Sequence, residues 1–251
     1  MHLPDPVFPP LLTGHGVNAP ERPFDVARSE AAAGRMGAGD FVWARDTRRL
    51  DCAIVLEPEV GRARAGEMLI TAMVALGDAA GALAPPEVGV FYRWPQTIDV
   101  NGAIAGKADL AVSPRTGPDG APDWLVVGIQ LAIGATGLDP DPGYDLDHTT
   151  LWEEGCADID RTVLIESFSR HFLAWIDTWE VEGFGPAHEI WLGRNRQGGE
   201  TVTIETPTGP VTGTFVGLDE TGGLLLRTDT GVAAIGILDA LAPHETVVAD
   251  G

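Results

Sequence analysis

The segment from Tyr92 to Val112, YRWPQTIDVNGAIAGKADLAV, most constrains how this chain can fold. Its β-branched and aromatic residues flank an Asn-Gly pair at Asn101 and Gly102, which is typical of a tight turn between two antiparallel strands. The segment also contains Lys107, the single lysine among 251 residues. An ammonium group is a compact point charge that suits a phosphate or a carboxylate. We therefore predict a β-hairpin that carries an anion-binding residue.

Hydrophobic periodicity predicts the remaining elements. Helices are predicted over residues 24–33, 63–83, 161–180 and 186–192, and strands over residues 40–43, 52–56, 88–93, 97–100, 106–113 and 124–133. The strand at 124–133, WLVVGIQLAI, is almost wholly apolar, as expected for a central strand that is covered on both faces. Asp158 or Asp160 is suited to cap the helix that begins at Arg161.

The residue pattern of the chain changes near residue 198. From there, short runs rich in Thr, Val and Ile alternate with glycine turns, which predicts four or five strands of a small closed or partly closed barrel. We therefore predict three parts: an extended N-terminal arm at residues 1–22, a larger domain at 23–197 and a barrel domain at 198–251.

Composition argues against several functions. The net charge of −21 does not suit nucleic acid, whose phosphates are bound by basic residues. No apolar run approaches the roughly 20 residues that span a bilayer, so no membrane partner is expected. The N-terminus lacks the basic and apolar regions of a signal peptide, so we expect a cytoplasmic protein. Two cysteines, Cys52 and Cys156, provide neither a disulfide framework nor a zinc site.

An acidic run between residues 138 and 147 is the remaining candidate for a metal site. Its carboxylates are Asp139, Asp141, Asp145 and Asp147. Two prolines interrupt the run, and Thr150 stands where a calcium loop needs a bidentate glutamate. We therefore interpret the run as an acidic surface loop and predict no metal bound by protein ligands.

The hairpin segment resembles the Lys-Trp-Pro-Asn-Asp motif of the biotin and lipoate protein ligases, which leads into a hairpin ending in Ala-Gly. Trp94, Pro95, the turn Val100-Asn101-Gly102 and the pair Ala105-Gly106 carry this resemblance. Farther along, TTLWEEG, a long helix, EGFGPAHEIW and GLDETGGLLLRTDTG follow in the order found in bacterial biotin ligases. The resemblance implies an α+β fold: a mixed, mostly antiparallel sheet with packed helices, followed by a small SH3-like β-barrel. No helix-turn-helix domain is expected before it.

The resemblance also implies a reaction. In that family, a carboxylic cofactor attacks the α-phosphate of ATP to form an acyl adenylate, and a lysine of a carrier domain then takes the acyl group. ATP is thus implied together with biotin or with lipoate or octanoate, and Mg²⁺ is compatible with this chemistry. A biotinyl or lipoyl carrier domain is the implied partner, and a homodimer is compatible with the family. Because two anions must meet, the site needs cationic groups.

Site residues follow from the resemblance, position by position. The implied catalytic residues are Lys107 and Arg93. The implied cofactor-binding residues are Arg45, Arg48, Arg49, Trp94, Pro95, Asn101, Gly102, Gly106, Gly128 and Gln130. The apolar wall of the cofactor slot is expected over residues 128–133, together with Trp94.

Three departures from the family pattern affect this site. The loop at residues 45–49 is short and lacks the glycines that let backbone N–H groups wrap a phosphate. Arg93 replaces the first lysine of the motif, and Gln96-Thr97 replace its Asn-Asp pair. The second family lysine precedes Ala-Gly, whereas Lys107 follows Gly106. Because a one-residue shift turns a strand side chain to the other face, Lys107 can face the site only if the hairpin register also shifts.

These departures leave three functions open. The first is ligase activity as in the family. The second is a binding protein that keeps the fold and holds a small acyl ligand or a carrier domain without forming an adenylate. The third is an octanoyl-type acyltransferase that needs no ATP, with Cys52 as its candidate nucleophile. Purely structural roles are also open: Lys107 as a solvated edge-strand lysine, and Trp94 as a core aromatic. Arg45, Arg48 and Arg49 are likewise compatible with an exposed polar loop.

Overall fold

The computed structural model describes residues 3–134 and 146–242. Its strands are β1 Thr13–Val17, β2 Asp40–Ala44, β3 Arg49–Leu56, β4 Val90–Arg93, β5 Thr97–Val100, β6 Ala103–Val112, β7 Leu125–Ala132, β8 Thr201–Ile204, β9 Val211–Leu218, β10 Leu224–Thr228 and β11 Gly231–Ile235. Its helices are α1 Pro23–Ala32, α2 Arg62–Ala65, α3 Glu67–Gly81, α4 Arg161–Glu182, α5 Gly185–Gly193 and α6 Ile237–Ala240.

Seven strands form the larger sheet in the order β1-β2-β3-β7-β6-β5-β4. Only the β1–β2 pair is parallel, so the sheet is mixed and mostly antiparallel, as predicted. The apolar strand β7 lies at its centre between β3 and β6. Helices cover both of its faces, which explains why alternation is absent from this strand.

The two faces of the sheet differ in what covers them. On one face, α3 buries nearly all of its length and packs against α4 and α5. On the other face, α1 packs against β2, β3 and β7 through Ala27 and Ala31, beside Trp124. This second face carries the polar residues of the candidate site.

Helix ends agree closely with the sequence signals. The Asp160 carboxylate accepts a hydrogen bond from the Val163 amide at 3.0 Å, so Asp160 is the N-cap of α4. The helix predicted over residues 63–83 is instead two helices, α2 and α3, which meet at Gly66. Strand β6 begins at Ala103, three residues before its predicted start.

The N-terminal residues contribute to the larger sheet. Thr13–Val17, which the sequence analysis placed in an extended arm, pairs in parallel with Asp40–Ala44. The preceding residues contact α4, because the Pro4 carbonyl accepts hydrogen bonds from Arg161 and Thr162. The prediction did not anticipate these contacts, because they join residues more than 150 positions apart.

Four strands form a separate antiparallel sheet in the order β11-β10-β9-β8, matching the small C-terminal sheet expected from the glycine-punctuated sequence. It contacts the larger domain through the turn after Asp219. There the Gly222 carbonyl accepts a hydrogen bond from Trp94 Nε1 at 3.0 Å. The hairpin segment and the C-terminal sheet are therefore directly connected.

Candidate functional site

The β5–β6 hairpin contains a register shift. Asn101 and Gly102 both have positive φ, at 51° and 105°, which forms the tight turn. Thr97 pairs with Lys107 and Ile98 with Gly106, but Asp99 pairs with Ile104. Ala105 is thus the extra residue of a β-bulge. This is the kind of shift that the sequence analysis required for Lys107 to reach the site.

Gly106 lies where two backbones approach each other closely. A Cβ atom on this residue would overlap the carbonyl oxygen of Gln130 on the neighbouring strand β7. Only glycine fits here without moving β6 away from β7. Gly106 therefore permits the strand pairing that continues through Lys107 and Gln130.

Beyond Gly106, strands β6 and β7 separate and the segment at residues 147–152 lies between them. The Ile104 amide donates to the Asp147 carbonyl at 2.8 Å, and the Thr149 amide donates to the Ile104 carbonyl at 2.9 Å. On the other side, the Leu151 amide donates to the Ala132 carbonyl at 3.0 Å. Side chains reinforce the arrangement, because Glu154 accepts hydrogen bonds from Asn101 at 2.8 Å and Thr149 at 2.6 Å.

A cleft of about 800 Å³ opens where the strands separate. Its walls come from the loop before β3, from β5, β6 and β7, and from the segment at 146–154. The lining includes Arg48, Arg49, Gln96, Thr97, Ala103, Ile104, Ala105, Gly106, Lys107, Gln130, Leu131, Ala132, Gly134, Leu146, His148, Thr149, Thr150, Glu153 and Glu154. Three cationic side chains and two glutamates thus line one concave surface.

Lys107 lies on the floor of this cleft within a polar cluster. Its Nζ is 2.7 Å from Asp109 Oδ1, and Gln130 Nε2 donates to Asp109 Oδ2 at 3.2 Å. The Lys107 side chain is 41% exposed, so its ammonium remains accessible from the cleft. The cleft therefore contains the Lys107 ammonium, whose charge is partly neutralised by Asp109.

Asp51 extends the same row of residues. It is paired across the sheet with Gln130, which is paired with Lys107, so the three side chains share a face. Burial raises the pKa of Asp51 to about 6, and nearby Asp109 adds to the effect, while Arg22, Arg49 and Lys107 oppose it. Asp51 is therefore a buried carboxyl group on the same face of the sheet as Lys107.

The three arginines of the short loop separate into two groups. Arg48 and Arg49 line the cleft, and Arg49 Nε is 3.3 Å from Asp46. Arg45 does not line it. The Arg45 guanidinium donates to the Gly16 carbonyl at 2.8 Å and to Asp5 at 3.0 Å.

Arg93 and Trp94, proposed from the resemblance, also lie outside the cleft lining. Arg93 Nε donates to Asp99 Oδ2 at 2.6 Å. Trp94 is buried, and its backbone amide donates to Gln197 at 2.6 Å. Trp94 therefore takes the structural role that the sequence analysis weighed against a place in the ligand wall, because its ring faces the C-terminal sheet.

The other predicted binding residues divide in the same way. Gln130 and Gly106 line the cleft, whereas Pro95, Asn101, Gly102 and Gly128 do not. Asn101 and Gly102 form the turn, and Pro95 precedes the lining residues Gln96 and Thr97. A Cβ on Gly128 would overlap the Phe24 ring, so α1 covers this position. Of the expected apolar wall, the part at Gln130, Leu131 and Ala132 reaches the cleft.

The sequence analysis missed several residues in or beside the cleft. Asp109 contacts the lining residues Lys107 and Gln130 without lining the cleft itself. It lies two positions after Lys107 in one strand, and this period-two spacing could have indicated a shared face. Glu153 and Glu154 lie in the TTLWEEG segment that supported the resemblance. No local signal connects them to Lys107, because the segment at 147–152 inserts beside β6 only in the folded chain.

The structure does not support Cys52 as a nucleophile. Cys52 pairs with Ile129 and packs in the core on the face opposite Gln130 and Lys107. Burial raises the pKa of its thiol well above the ordinary value, which disfavours the reactive thiolate. Cys52 therefore cannot meet a ligand held in the cleft.

Among residues 3–134 and 146–242, no group of three His, Cys, Asp or Glu side chains could hold a metal ion. Asp139, Asp141 and Asp145 of the acidic run lie outside the described residues. In the same described ranges, no helix is long and apolar enough to cross a membrane.

The structure combines a mixed sheet that carries a cation-lined cleft with a small C-terminal antiparallel sheet. The chain is therefore an α+β protein. Two protein-family models match such parts of this chain. The model described as the Biotin/lipoate A/B protein ligase family matches residues 8–193, and the Biotin protein ligase C terminal domain matches residues 198–247. The chain therefore belongs to the biotin/lipoate A/B protein ligase family.

Similar sequences include the biotin–[acetyl-CoA-carboxylase] ligase of Paracoccus denitrificans. It is 28% identical over 207 residues, which cover 82% of this chain and 85% of that protein. The bifunctional ligase/repressor BirA of Bacillus subtilis is 24% identical over 221 residues, which cover 87% of this chain and 65% of that protein.

Similar solved structures agree. A biotin protein ligase-like protein of unknown function from Silicibacter sp. TM1040 has a TM-score of 0.82 and 40% identity, covering 94% of this chain and 99% of that chain. The biotin protein ligase of Aquifex aeolicus in complex with biotin and ATP has a TM-score of 0.70 and 17% identity, covering 91% and 96%. At that identity, the Aquifex likeness shows the fold alone.

Proposed function

We propose that this chain activates a small carboxylic acid with ATP and passes the acyl group to a lysine of a carrier domain. One observation carries the proposal. The β-bulge at Ala105 turns Lys107 into a cleft that Arg48 and Arg49 also line. These cations provide the positive charge that a carboxylate and a triphosphate need when they are brought together.

The proposed reaction has two steps, formation of an acyl adenylate and transfer of the acyl group. A carboxylate oxygen of the acid bonds to the α-phosphorus of ATP, and the bond from that phosphorus to the β-phosphate bridging oxygen breaks. Pyrophosphate leaves, and an acyl adenylate remains. The neutral amine of the carrier lysine then attacks the acyl carbon, AMP leaves with the electron pair, and the amine loses a proton. We assign charge stabilisation in the first step to Lys107, Arg48 and Arg49.

Biotin is the acid to test first, because the similar proteins of Paracoccus denitrificans and Aquifex aeolicus are biotin ligases. Lipoate and octanoate rest on the sequence resemblance alone. The three cleft cations fit a phosphate chain. Mg²⁺ enters the proposal only as the companion of ATP, and Thr97, at the family position of an aspartate, provides no carboxylate for it.

A second candidate is a binding protein that no longer forms an adenylate. Its support is that cations expected to meet anions already have carboxylate partners. Lys107 is 2.7 Å from Asp109, and Arg45 is 3.0 Å from Asp5. The connection between β2 and β3 is also only residues 45–48, and it lacks the glycines that let backbone N–H groups wrap a phosphate. Such a protein would bind the acid or a carrier domain and release no pyrophosphate.

Pyrophosphate release with ATP and biotin separates these candidates. Ligase activity predicts acid-dependent release that is strongly reduced, but still measurable, in Lys107→Ala and unchanged in Arg227→Ala, which removes an exposed charge from the C-terminal sheet. Mass spectrometry of an added biotinyl carrier domain then checks acyl transfer to its lysine. Thermal stabilisation by biotin without pyrophosphate release would favour the binding protein. Cytoplasmic location remains a prediction from the sequence, and a homodimer is compatible with the family.

A further inference from the structure

Asp109 contacts Lys107, the single lysine of the chain. Asp109 and Lys107 are two positions apart in β6, so their side chains leave the same face of the sheet. Asp109 Oδ1 is 2.7 Å from Lys107 Nζ, and Asp109 Oδ2 accepts from Gln130 Nε2 at 3.2 Å. Each carboxylate oxygen thus has a side-chain partner, Lys107 on one oxygen and Gln130 on the other.

The neighbouring strand completes this arrangement. Gln130 is the cross-strand partner of Lys107, and it also lines the cleft. Asp109 is itself only 15% exposed at its side chain, whereas Lys107 is 41% exposed. The carboxylate therefore lies below the ammonium, and the remaining N–H groups of Lys107 are accessible from the cleft. A flexible four-carbon side chain without such a partner would sample many rotamers.

We infer that Asp109 is a positioning residue for Lys107. It holds the ammonium over the cleft floor, where the charge of a reacting anion would develop, and Gln130 keeps the Asp109 carboxylate in place. The family motif that this hairpin resembles places its lysine before Ala-Gly, so the shifted lysine and its carboxylate partner are a feature of this chain. The catalytic consequence rests on the proposed function, whereas the positional claim does not.

Because Lys107 is the sole lysine, lysine-selective ¹³C and ¹⁵N labelling of the full chain, with a lysine-free tag, gives a single side-chain ammonium signal. We expect that signal to be visible at low temperature in the wild type, because hydrogen bonding slows its exchange with water. Asp109→Ala should remove the signal. Asp123→Ala should leave it unchanged, because Asp123 pairs with Arg115 away from the cleft. An unchanged signal in Asp109→Ala overturns the inference.

Turnover tests the consequence. We expect Asp109→Ala to lower kcat at least about tenfold, with a smaller change in the KM for the acid, because misplacing a charge-stabilising group chiefly affects the transition state. Asp109→Glu should restore part of the loss. In a Lys107→Met background, Asp109→Ala should cost nothing further, since Asp109 acts through Lys107. An equal loss in both backgrounds, or none in the wild type, contradicts a positioning role.

The ammonium signal and the turnover measurements together distinguish failure of the inference from failure of the proposed function. If the wild type releases no pyrophosphate with any acid, the proposed function fails, and the ammonium signal alone decides whether Asp109 positions Lys107. If the wild type turns over and Asp109→Ala keeps both signal and kcat, the inference fails and the proposed function stands.

Discussion

Arg93 and Asp99 form an ion pair at the base of the hairpin, with Arg93 Nε 2.6 Å from Asp99 Oδ2. Asp99 is fully buried, whereas the Arg93 side chain is 41% exposed. Asp99 Oδ1 finds no hydrogen-bond partner within the described part of the chain. The arginine that occupies the family lysine position is therefore engaged in neutralising a carboxylate of its own hairpin.

Replacing Arg93 should destabilise the fold. We expect Arg93→Gln to lower the free energy of unfolding by about 3 kcal/mol, because it leaves the buried Asp99 carboxylate without its charged partner. Arg35→Gln is the matched control, since Arg35 pairs with Glu30 on the surface and its loss should change little. Urea unfolding measures both. Wild-type stability in Arg93→Gln, combined with loss of acid-dependent turnover, would instead assign Arg93 to catalysis.

Gly106 should tolerate no side chain. We expect Gly106→Ala to cost about 3 kcal/mol of stability, because its Cβ would overlap the Gln130 carbonyl and force β6 away from β7. The displaced Lys107 should also abolish turnover. Gly102→Ala is the control in the same hairpin: it has positive φ but open space around its Cβ, and about 1 kcal/mol is expected. Equal losses in the two variants would refute the close-approach argument.

The contact between the two sheets can be tested at Gly222. A Cβ there would lie 3.1–3.3 Å from Ile237, Ile70 and Phe184. Gly199 has nearly the same φ, +79° against +82°, with nothing within 4 Å of its Cβ. We expect Gly222→Ala to be less stable than Gly199→Ala by about 1–2 kcal/mol in denaturant unfolding, because only the first crowds the interface. Equal free energies of unfolding for the two variants would mean that the contact at Gly222 contributes little to stability.

Asp51 should make stability depend on pH in an unusual direction. Burial raises its pKa in the folded chain to about 6 from an ordinary value of 3.8, so the folded state binds the proton more tightly than the unfolded state. Its contribution to stability is therefore fully present below about pH 4 and is lost as pH rises through about 6. The difference corresponds to about 3 kcal/mol.

Asp51→Asn should remove this loss. The variant should gain up to about 3 kcal/mol relative to the wild type above pH 6, and the gain should vanish near pH 4. Denaturant unfolding at several pH values between 4 and 8 measures the difference. Asp123→Asn, at an exposed carboxylate, provides the control. A gain that is independent of pH would show that the Asp51 carboxyl is not the titrating group.

Local signals predicted much of the fold. The Asn-Gly turn, the apolar strand β7 and the Asp160 cap of α4 depend on neighbours in sequence, and each is present in the structure. The family and its mixed, mostly antiparallel sheet also followed from short motifs in their order along the chain. The domain boundaries proposed near residues 22 and 197 remain predictions.

The site was harder to predict, because its members meet through long-range pairing. The sequence analysis grouped Arg45 with Arg48 and Arg49, but the fold directs Arg45 to Asp5 and Gly16. It placed Gly128 in the ligand wall, where Phe24 of α1 covers it. It also placed Trp94 there, although the ring contacts the C-terminal sheet. In each case, a distant segment decided which side of the residue was available.

The amino-acid sequence by itself determined which chemical groups are present and where the chain turns: one lysine, a tight Asn-Gly hairpin and a glycine after Ala105. It could not determine where the ammonium of that lysine points. The bulge at Ala105 and the pairing of β6 with β7 decided this, because strand side chains alternate between faces and one extra residue reverses the outcome. Only the tertiary structure brings Lys107, Gln130 and two arginines to the same cleft, since hydrogen bonds between strands distant in sequence determine which side chains become neighbours.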